Sequence, residues 1–233
     1  MMIAVQTIRD RPVRYRPDTS DERVLKEVID GQCYRKAMLG FEVEEGEHWL
    51  DLGANIGAFA LYCHFLGATA DCYEPDGENF EILCKNLQGL KGFTAHNSAV
   101  TVHEADTIQF YKGTRADDRY RYTAIKSTRP YAIVPNIHVS QLFKDRGYNQ
   151  WDGCKLDIEG SELLMLDDEW CPPARKVCME YHLTKDPCMK NFRRRMKFLR
   201  SQFRTVSYIP SLDQKYEGDK YPGFYDRLIF CMR

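Results

Sequence analysis

Asp51-Leu52-Gly53-Ala54-Asn55-Ile56-Gly57 joins a short apolar run, Trp49 to Leu52, to a stretch with helical spacing, Ile56 to Leu66. A strand that enters a glycine turn and leaves as a helix is the opening unit of an α/β sheet. Gly53 and Gly57 remove side chains where the backbone must turn tightly and a ligand must come close. The turn differs from the Gly-x-Gly-x-x-Gly form, which sets a pyrophosphate on the helix N-terminus. Here it opens with an acid, Asp51, and carries Asn55. A carboxylate at that place repels a pyrophosphate and suits an ammonium.

The rhythm continues outward. Thr69 to Glu74 reads as a second strand, Gly77 to Leu87 as a helix with Phe80, Leu83 and Leu87 on one face, and Phe93 to Val100 as a third strand. Such β-α-β-α-β alternation predicts a parallel sheet with helices on both faces. Glu74 ends the second strand roughly 23 residues after Asp51, the spacing at which an acid grips ribose hydroxyls in doubly wound folds. A carboxylate accepts from two vicinal hydroxyls at once.

Between Val102 and Val139 the pattern breaks into short strands, Thr107–Tyr111, Tyr120–Ile125 and Tyr131–Ile137, predicting an inserted β element over 102–139. The α/β rhythm then resumes: strand Gly153–Ile158, helix Ser161–Leu166, strand Lys176–His182, helix Pro187–Phe203. Strands Arg204–Ile209 and Tyr225–Met232, joined by the turn-rich loop Pro210–Gly223, close the chain as an antiparallel hairpin. Upstream, the Arg-rich segment to Pro17 predicts a short strand. Thr19 or Ser20 then caps a helix bearing Val24, Leu25, Val28 and Ile29. The whole, 1–233, is expected to form one domain, with 1–47 as an N-terminal extension.

Composition narrows the classes. Hydrophobic residues make up 43% of the chain, enough for a sizeable core, and 33 basic residues balance 34 acidic ones. No global field favours nucleic acid or an anionic membrane. There are nine cysteines, an odd number without a Cys-x-x-Cys pair. Cys72, Cys84, Cys178 and Cys231 sit in apolar runs, so buried free thiols in a reducing compartment are expected. No stretch approaches the roughly 20 apolar residues of a membrane span, and the N-terminus lacks a signal-like apolar run. A soluble, cytoplasmic protein is expected.

A second group of ionisable residues follows. In Lys155-Leu156-Asp157-Ile158-Glu159-Gly160-Ser161-Glu162, Asp157 falls at the carboxyl edge of the fourth strand, where such sheets bind ligands. Glu159 and Glu162 stand at a helix start, where acids are favoured in any case. Glu180-Tyr181-His182 ends the fifth strand. His182 is either a proton acceptor near neutral pH or a structural histidine. Asp157, His182 and Lys155 are the candidate catalytic residues, and Asp157, Glu159 and Glu180 are candidate ligands for a divalent metal. Lys190, Arg193, Arg194, Arg195, Lys197 and Arg200 crowd one helix, with Phe192, Met196, Leu199 and Phe203 as its apolar stripe. The basic residues are expected on a solvated face.

Taken together, the three motifs resemble the FkbM family of methyltransferases. The likeness runs from about Ser20 through Asp51–Gly57 and Tyr73-Glu74-Pro75-Asp76-Gly77-Glu78-Asn79-Phe80 to Lys155–Glu162. It implies a Rossmann-like methyltransferase fold, with a mostly parallel seven-stranded sheet ending in the antiparallel hairpin, and S-adenosylmethionine as donor. It further implies O-methylation of a hydroxyl on a sugar, glycan or related small molecule, nucleotide-sugars included. The cofactor residues implied are Asp51, Gly53, Ala54, Asn55, Gly57, Glu74, Pro75 and Asp157, with Asn97, Ser98 and Ala99 near the adenine. A nucleic-acid methyltransferase and a non-catalytic cofactor-binding module are the alternatives. The first lacks an Asn/Asp-Pro-Pro-Tyr sequence and a basic balance.

Overall fold

The computed structural model describes residues 2–112, 122–123, 130–144, 151–183, 185–186, 188–210 and 226–233. It opens with a hairpin, β1 (Ala4–Ile8) and β2 (Arg11–Tyr15), then a short helix, α1 (Asp21–Leu25), that runs on as a π turn to Asp30. Ser20 occupies the N-cap of α1 without a side-chain bond; Thr19 Oγ1 instead accepts from Asp21 N at 3.2 Å.

The doubly wound core follows: β3 (His48–Leu52), α2 (Ala58–Phe65), β4 (Thr69–Tyr73), α3 (Gly77–Leu87) and β5 (Phe93–His96). A second β layer comprises β6 (Ala99–Thr101), β7 (Thr107–Lys112), β8 (Tyr122–Thr123) and β9 (Tyr131–His138), leading into α4 (Val139–Lys144). Then come β10 (Gly153–Leu156), α5 (Ser161–Asp167), β11 (Lys176–Tyr181), α6 (Met189–Gln202), β12 (Thr205–Pro210) and β13 (Arg227–Met232).

The main sheet has the order β12-β13-β11-β10-β3-β4-β5. Its four pairings from β5 to β11 are parallel, and the β11–β13 and β12–β13 pairs are antiparallel. Strand order reverses between β3 and β10, which opens a crevice at their carboxyl ends. Residues Trp49 to Leu52 of β3 are all buried, as a central strand covered on both faces requires. Trp49 packs edge-on against Phe41 and Phe59 on one face, while Leu50 and Leu52 join Leu156, Leu163 and Met179 on the other. Gly153 of β10 makes room for that indole: a Cβ there would lie 2.5 Å from the Trp49 ring.

The third expected strand, Phe93–Val100, is in fact two. The chain leaves the main sheet after His96, turns through Asn97 and Ser98, and re-enters pairing as β6 of the second sheet, beside β9 in the order β6-β9-β7-β8. Asn97 Nδ2 fixes the break by donating to Glu74 O and Pro75 O at 2.9 and 3.1 Å. The inserted β element therefore begins before Val102. Of the strand expected at Tyr120–Ile125 only β8 is described, and the loop Pro210–Gly223 lies beyond Pro210 outside the described residues.

Two surface expectations change. Arg195 of α6 is buried, paired through its fork with Asp167 and Asp186 and donating to Tyr181 Oη at 2.9 Å. Its neighbours Lys190, Arg193, Arg194, Lys197 and Arg200 are exposed. All nine cysteines are free, but Cys84 and Cys188 are exposed rather than buried. Among the described residues, no helix is long and apolar enough to cross a membrane.

Candidate active site

A cavity of about 880 Å³, its open mouth included, sits at the strand-order reversal. Gly53, Ala54 and Asn55 after β3, Glu74 and Pro75 after β4, Ser98 and Ala99 before and in β6, and Lys155, Asp157 and Glu159 at the end of β10 all face it. Four stretches of the sequence thus meet at one sheet edge.

Gly53 stands where β3 and β10 come closest. Its φ is +81°, and a Cβ would lie 1.9 Å from Asp157 O, so any side chain pushes the two strand ends apart. Asn55 and Glu159, on opposite sides of the crevice, both adopt left-handed backbone at φ 51° and 53°. Strain of this kind gathers at ligand sites. Gly57 serves a different end from the one expected. Its φ of +92° demands a glycine, and a Cβ there would meet the tip of Leu83 on α3 at 2.9 Å, so the backbone turn and packing on α3 account for it, and it does not line the cavity.

Asp51 is also placed differently from the expectation. It is fully buried and does not line the cavity. The β3–β10 register sets Lys155 opposite Asp51, and the ammonium stands 3.0 Å from Oδ1 while donating its hydrogen bond to Gly53 O at 2.7 Å. Burial alone would lower the Lys155 pKa; the Asp51 and Asp157 carboxylates outweigh it and hold the ammonium charged. Burial also raises Asp51, against the pull of Lys155. The pair fixes the glycine turn from behind, with Lys155 as its cavity-facing member. Asn97 likewise secures the turn after Pro75 and does not line the cavity.

Glu74 does face the cavity, although its side chain is largely buried. Oε2 accepts from Asn55 N at 2.8 Å; Oε1 accepts from Asp76 N at 2.9 Å and Asn79 Nδ2 at 3.4 Å. Burial pushes its pKa up to about 7, and the two backbone donors hold it from rising further.

On the other bank, Tyr34 Oη donates to Asp157 Oδ2 at 3.1 Å, and the Tyr34 ring lies beneath Lys155 Nζ, 5.8 Å from its centroid. Burial and the Asp157 charge hold the Tyr34 phenol well above its ordinary pKa, so it stays a donor. His182 does not reach the cavity wall. Its Nδ1 lies 3.0 Å from Glu162 Oε1 and its Nε2 3.4 Å from Glu159 Oε2. Burial disfavours the imidazolium, but these two carboxylates outweigh it and raise the pKa well above the ordinary value. Glu162, expected as a helix-start acid, is fully buried; it also accepts from Gly160 N at 2.8 Å and His182 N at 2.9 Å, tying the start of α5 to the end of β11.

The metal candidates change by one residue. Ligating atoms of Asp157, Glu180 and His182 lie within 4.8 Å of one another, whereas Glu159 is turned to His182.

The structure also supplies residues that sequence reasoning missed. Val24, Val28 and Tyr34 of the N-terminal extension and Phe110 of β7 line the cavity. Val24 and Val28 were legible only as a helix stripe. Tyr34 lies in no motif, and its partner Asp157 is remote in sequence.

The fit to S-adenosylmethionine is chemical: a buried carboxylate at the end of β4, an apolar wall from Val24, Val28, Leu52, Val100 and Phe110, and an open glycine turn between them. Comparison with known proteins agrees. Residues 51–205 match the family described as Methyltransferase FkbM domain. A curated relative, 31-O-demethyl-FK506 methyltransferase FkbM of Streptomyces tacrolimicus, is 26% identical over 192 residues, 67% of this chain and 73% of that one. Among solved structures, M. jannaschii TYW2 in complex with AdoMet aligns with a TM-score of 0.53 at 9% identity, covering 98% of this chain and 84% of that one. A fibrillarin/Nop5p complex aligns at 0.52 and 12% identity, covering 98% and 97%. These two likenesses speak to the fold alone.

Proposed function

Because the chain belongs to the FkbM family of S-adenosylmethionine-dependent methyltransferases, we propose that it methylates a hydroxyl oxygen of a sugar, glycan or similar polyhydroxylated small molecule, with Asp157 as the proton acceptor. One observation carries this reading: a carboxylate, Asp157, stands on the cavity wall at the strand-order reversal, with one oxygen already taken by Tyr34. The name of the curated relative, a 31-O-demethyl compound's methyltransferase, points to oxygen as the accepting atom.

The donor supplies an electrophilic methyl on a sulfonium and leaves as S-adenosylhomocysteine. The protein's own residues bind, orient and move one proton. Glu74 takes the ribose hydroxyls, and Lys155 holds Gly53 and the turn in place through its 2.7 Å bond. Tyr34 holds the Asp157 carboxylate through Oδ2, which leaves Oδ1 for an acceptor; among the described residues Asp157 has no other side-chain hydrogen bond. The hydroxyl proton passes to Asp157 as the oxygen attacks. His182, held as an imidazolium between Glu159 and Glu162, has no lone pair to accept that proton and instead offsets negative charge behind Asp157. The free thiols fit a reducing compartment such as the cytoplasm.

The test uses isotopically labelled S-adenosylmethionine with a panel of sugars, nucleotide-sugars and natural-product alcohols, the site of methylation being located by NMR. A methyl on oxygen, lost in Asp157→Asn, is expected. A methyl on a base nitrogen of RNA or DNA, with no turnover of any alcohol, overturns the reading.

A further inference from the structure

The family match begins at residue 51, yet a buried polar chain enters the donor site from the segment before it. Arg16, at the end of β2, is only 1% exposed. Asp21, at the start of α1, clamps it: Oδ2 accepts from Arg16 Nε at 2.8 Å and from its backbone N at 2.9 Å, and Oδ1 accepts from Nη2 at 2.8 Å. Thr19 Oγ1 donates to Arg16 O at 2.8 Å and closes the turn. The same Nη2 reaches across to α3 and donates to Asn79 Oδ1 at 2.6 Å.

That contact has a chemical consequence. A guanidinium offers only donors, so it can meet only the oxygen end of the Asn79 amide. The NH2 end is thereby turned the other way, to Glu74 Oε1. The backbone N of Asn79 is itself held by Asp76 Oδ1 at 2.9 Å, so the side chain pivots from a fixed point. Without Arg16, an amide flip would set the Asn79 oxygen against the Glu74 carboxylate, acceptor to acceptor.

We propose that Arg16, with Asp21 as its clamp, is a positioning residue for donor binding: by fixing the Asn79 amide it keeps Glu74 aimed and charged for the ribose hydroxyls. The N-terminal extension is then a working part of the donor site. This rests on the reading of Glu74 as the ribose acid.

The groups facing Glu74 are the Asn55 and Asp76 backbone N–H groups and Asn79, with the Asp76 carboxylate as the nearby like charge. Any loss of the Asn79 donor makes the Glu74 carboxylate harder to keep ionised, which moves the pH midpoint of donor affinity upward.

Calorimetric titration of the full chain with S-adenosylhomocysteine from pH 6 to pH 9 reads that midpoint. In Asn79→Asp the new carboxylate still accepts from Arg16 but gives Glu74 no donor, so the fold is kept while the midpoint rises by about half a unit or more, roughly twofold weaker binding at pH 7 and about threefold at pH 6. Arg16→Met should shift it in the same direction, and Arg16→Lys, which keeps donors at that place, by less. Circular dichroism and thermal melting check that each variant is folded; if Arg16→Met does not fold, Asn79→Asp decides alone. A folded Asn79→Asp with an unchanged midpoint overturns the proposal. The underlying reading fails separately: if Glu74→Gln binds as the wild type does across the pH range, the ribose site lies elsewhere.

Discussion

On the β3–β4 bank of the cavity, Glu74 is held chiefly by main-chain N–H groups, those of Asn55 and Asp76. On the β10–β11 bank, side chains hold one another: Tyr34 on Asp157, and Glu162 and Glu159 on His182. The first arrangement follows mainly from the path of the backbone through a strand–turn–helix unit, so changes in neighbouring side chains such as Asn79 and Arg16 shift it only modestly. The second exists only while every member is present, because a buried charge stripped of its partner bears its full desolvation cost. The donor bank is therefore the robust half of the site, and the acceptor bank the half where single substitutions act most strongly.

The largest effect is expected at Asp157. Replacing it with Asn keeps the shape and the Tyr34 contact but removes the proton acceptor, so turnover should fall ~10²–10⁴-fold. Affinity for S-adenosylhomocysteine, set on the other bank, should change little. Steady-state kinetics beside calorimetry tests the separation; equal losses in both would join the two banks into one unit.

Next comes His182→Leu. It strands the buried Glu162 carboxylate, and unfolding by denaturant should show a loss of about 3–5 kcal/mol. Adding Glu162→Gln should recover part of it, since the charge left without its partner is then gone. A loss below about 1 kcal/mol, as surface ion pairs give, would mean the acceptor bank is no more interdependent than the donor bank.

A smaller effect belongs to the donor bank. With the Glu74 pKa raised to about 7, its acceptor form is depleted as pH falls through neutrality. Burial favours the neutral acid, and ribose hydroxyls favour the carboxylate. Donor affinity should thus be about tenfold weaker at pH 6 than at pH 8, and Glu74→Gln should flatten the dependence. A flat wild-type profile would mean that the backbone donors keep Glu74 ionised throughout.

Metal removal should have the smallest effect. With His182 engaged as an imidazolium by Glu159 and Glu162, the Asp157–Glu180–His182 group already contains its cation. Turnover after exhaustive chelation should match the untreated enzyme. Activity lost on chelation and restored by a divalent ion would assign the acceptor bank to metal-assisted chemistry.

Much of the fold was legible because α/β units are written locally. The turn Asp51–Gly57, the helix Gly77–Leu87 and the strands at Thr69 and Lys176 each announce themselves within a few residues, and the residues that face the cavity from β3 and β4 follow from strand ends. The break at Asn97 was not legible, since Phe93 to Val100 is continuously strand-like and only the bonds to Glu74 O and Pro75 O end the first half. Arg195 read as one more solvated charge because its acids, Asp167 and Asp186, come from other segments.

The sequence by itself determined the architecture, the glycine turn and the acid at the end of the second strand, because backbone geometry and strand periodicity act over short stretches. Tertiary structure alone decided what each charge does. Strand order placed Lys155 opposite Asp51 and drew that acid behind the cavity wall. Folding of the N-terminal segment brought Tyr34 to Asp157 and Arg16 to Asn79. A carboxylate's role depends on its burial and on the donors within about 3 Å, and those neighbours are chosen by packing across the chain rather than by adjacency along it.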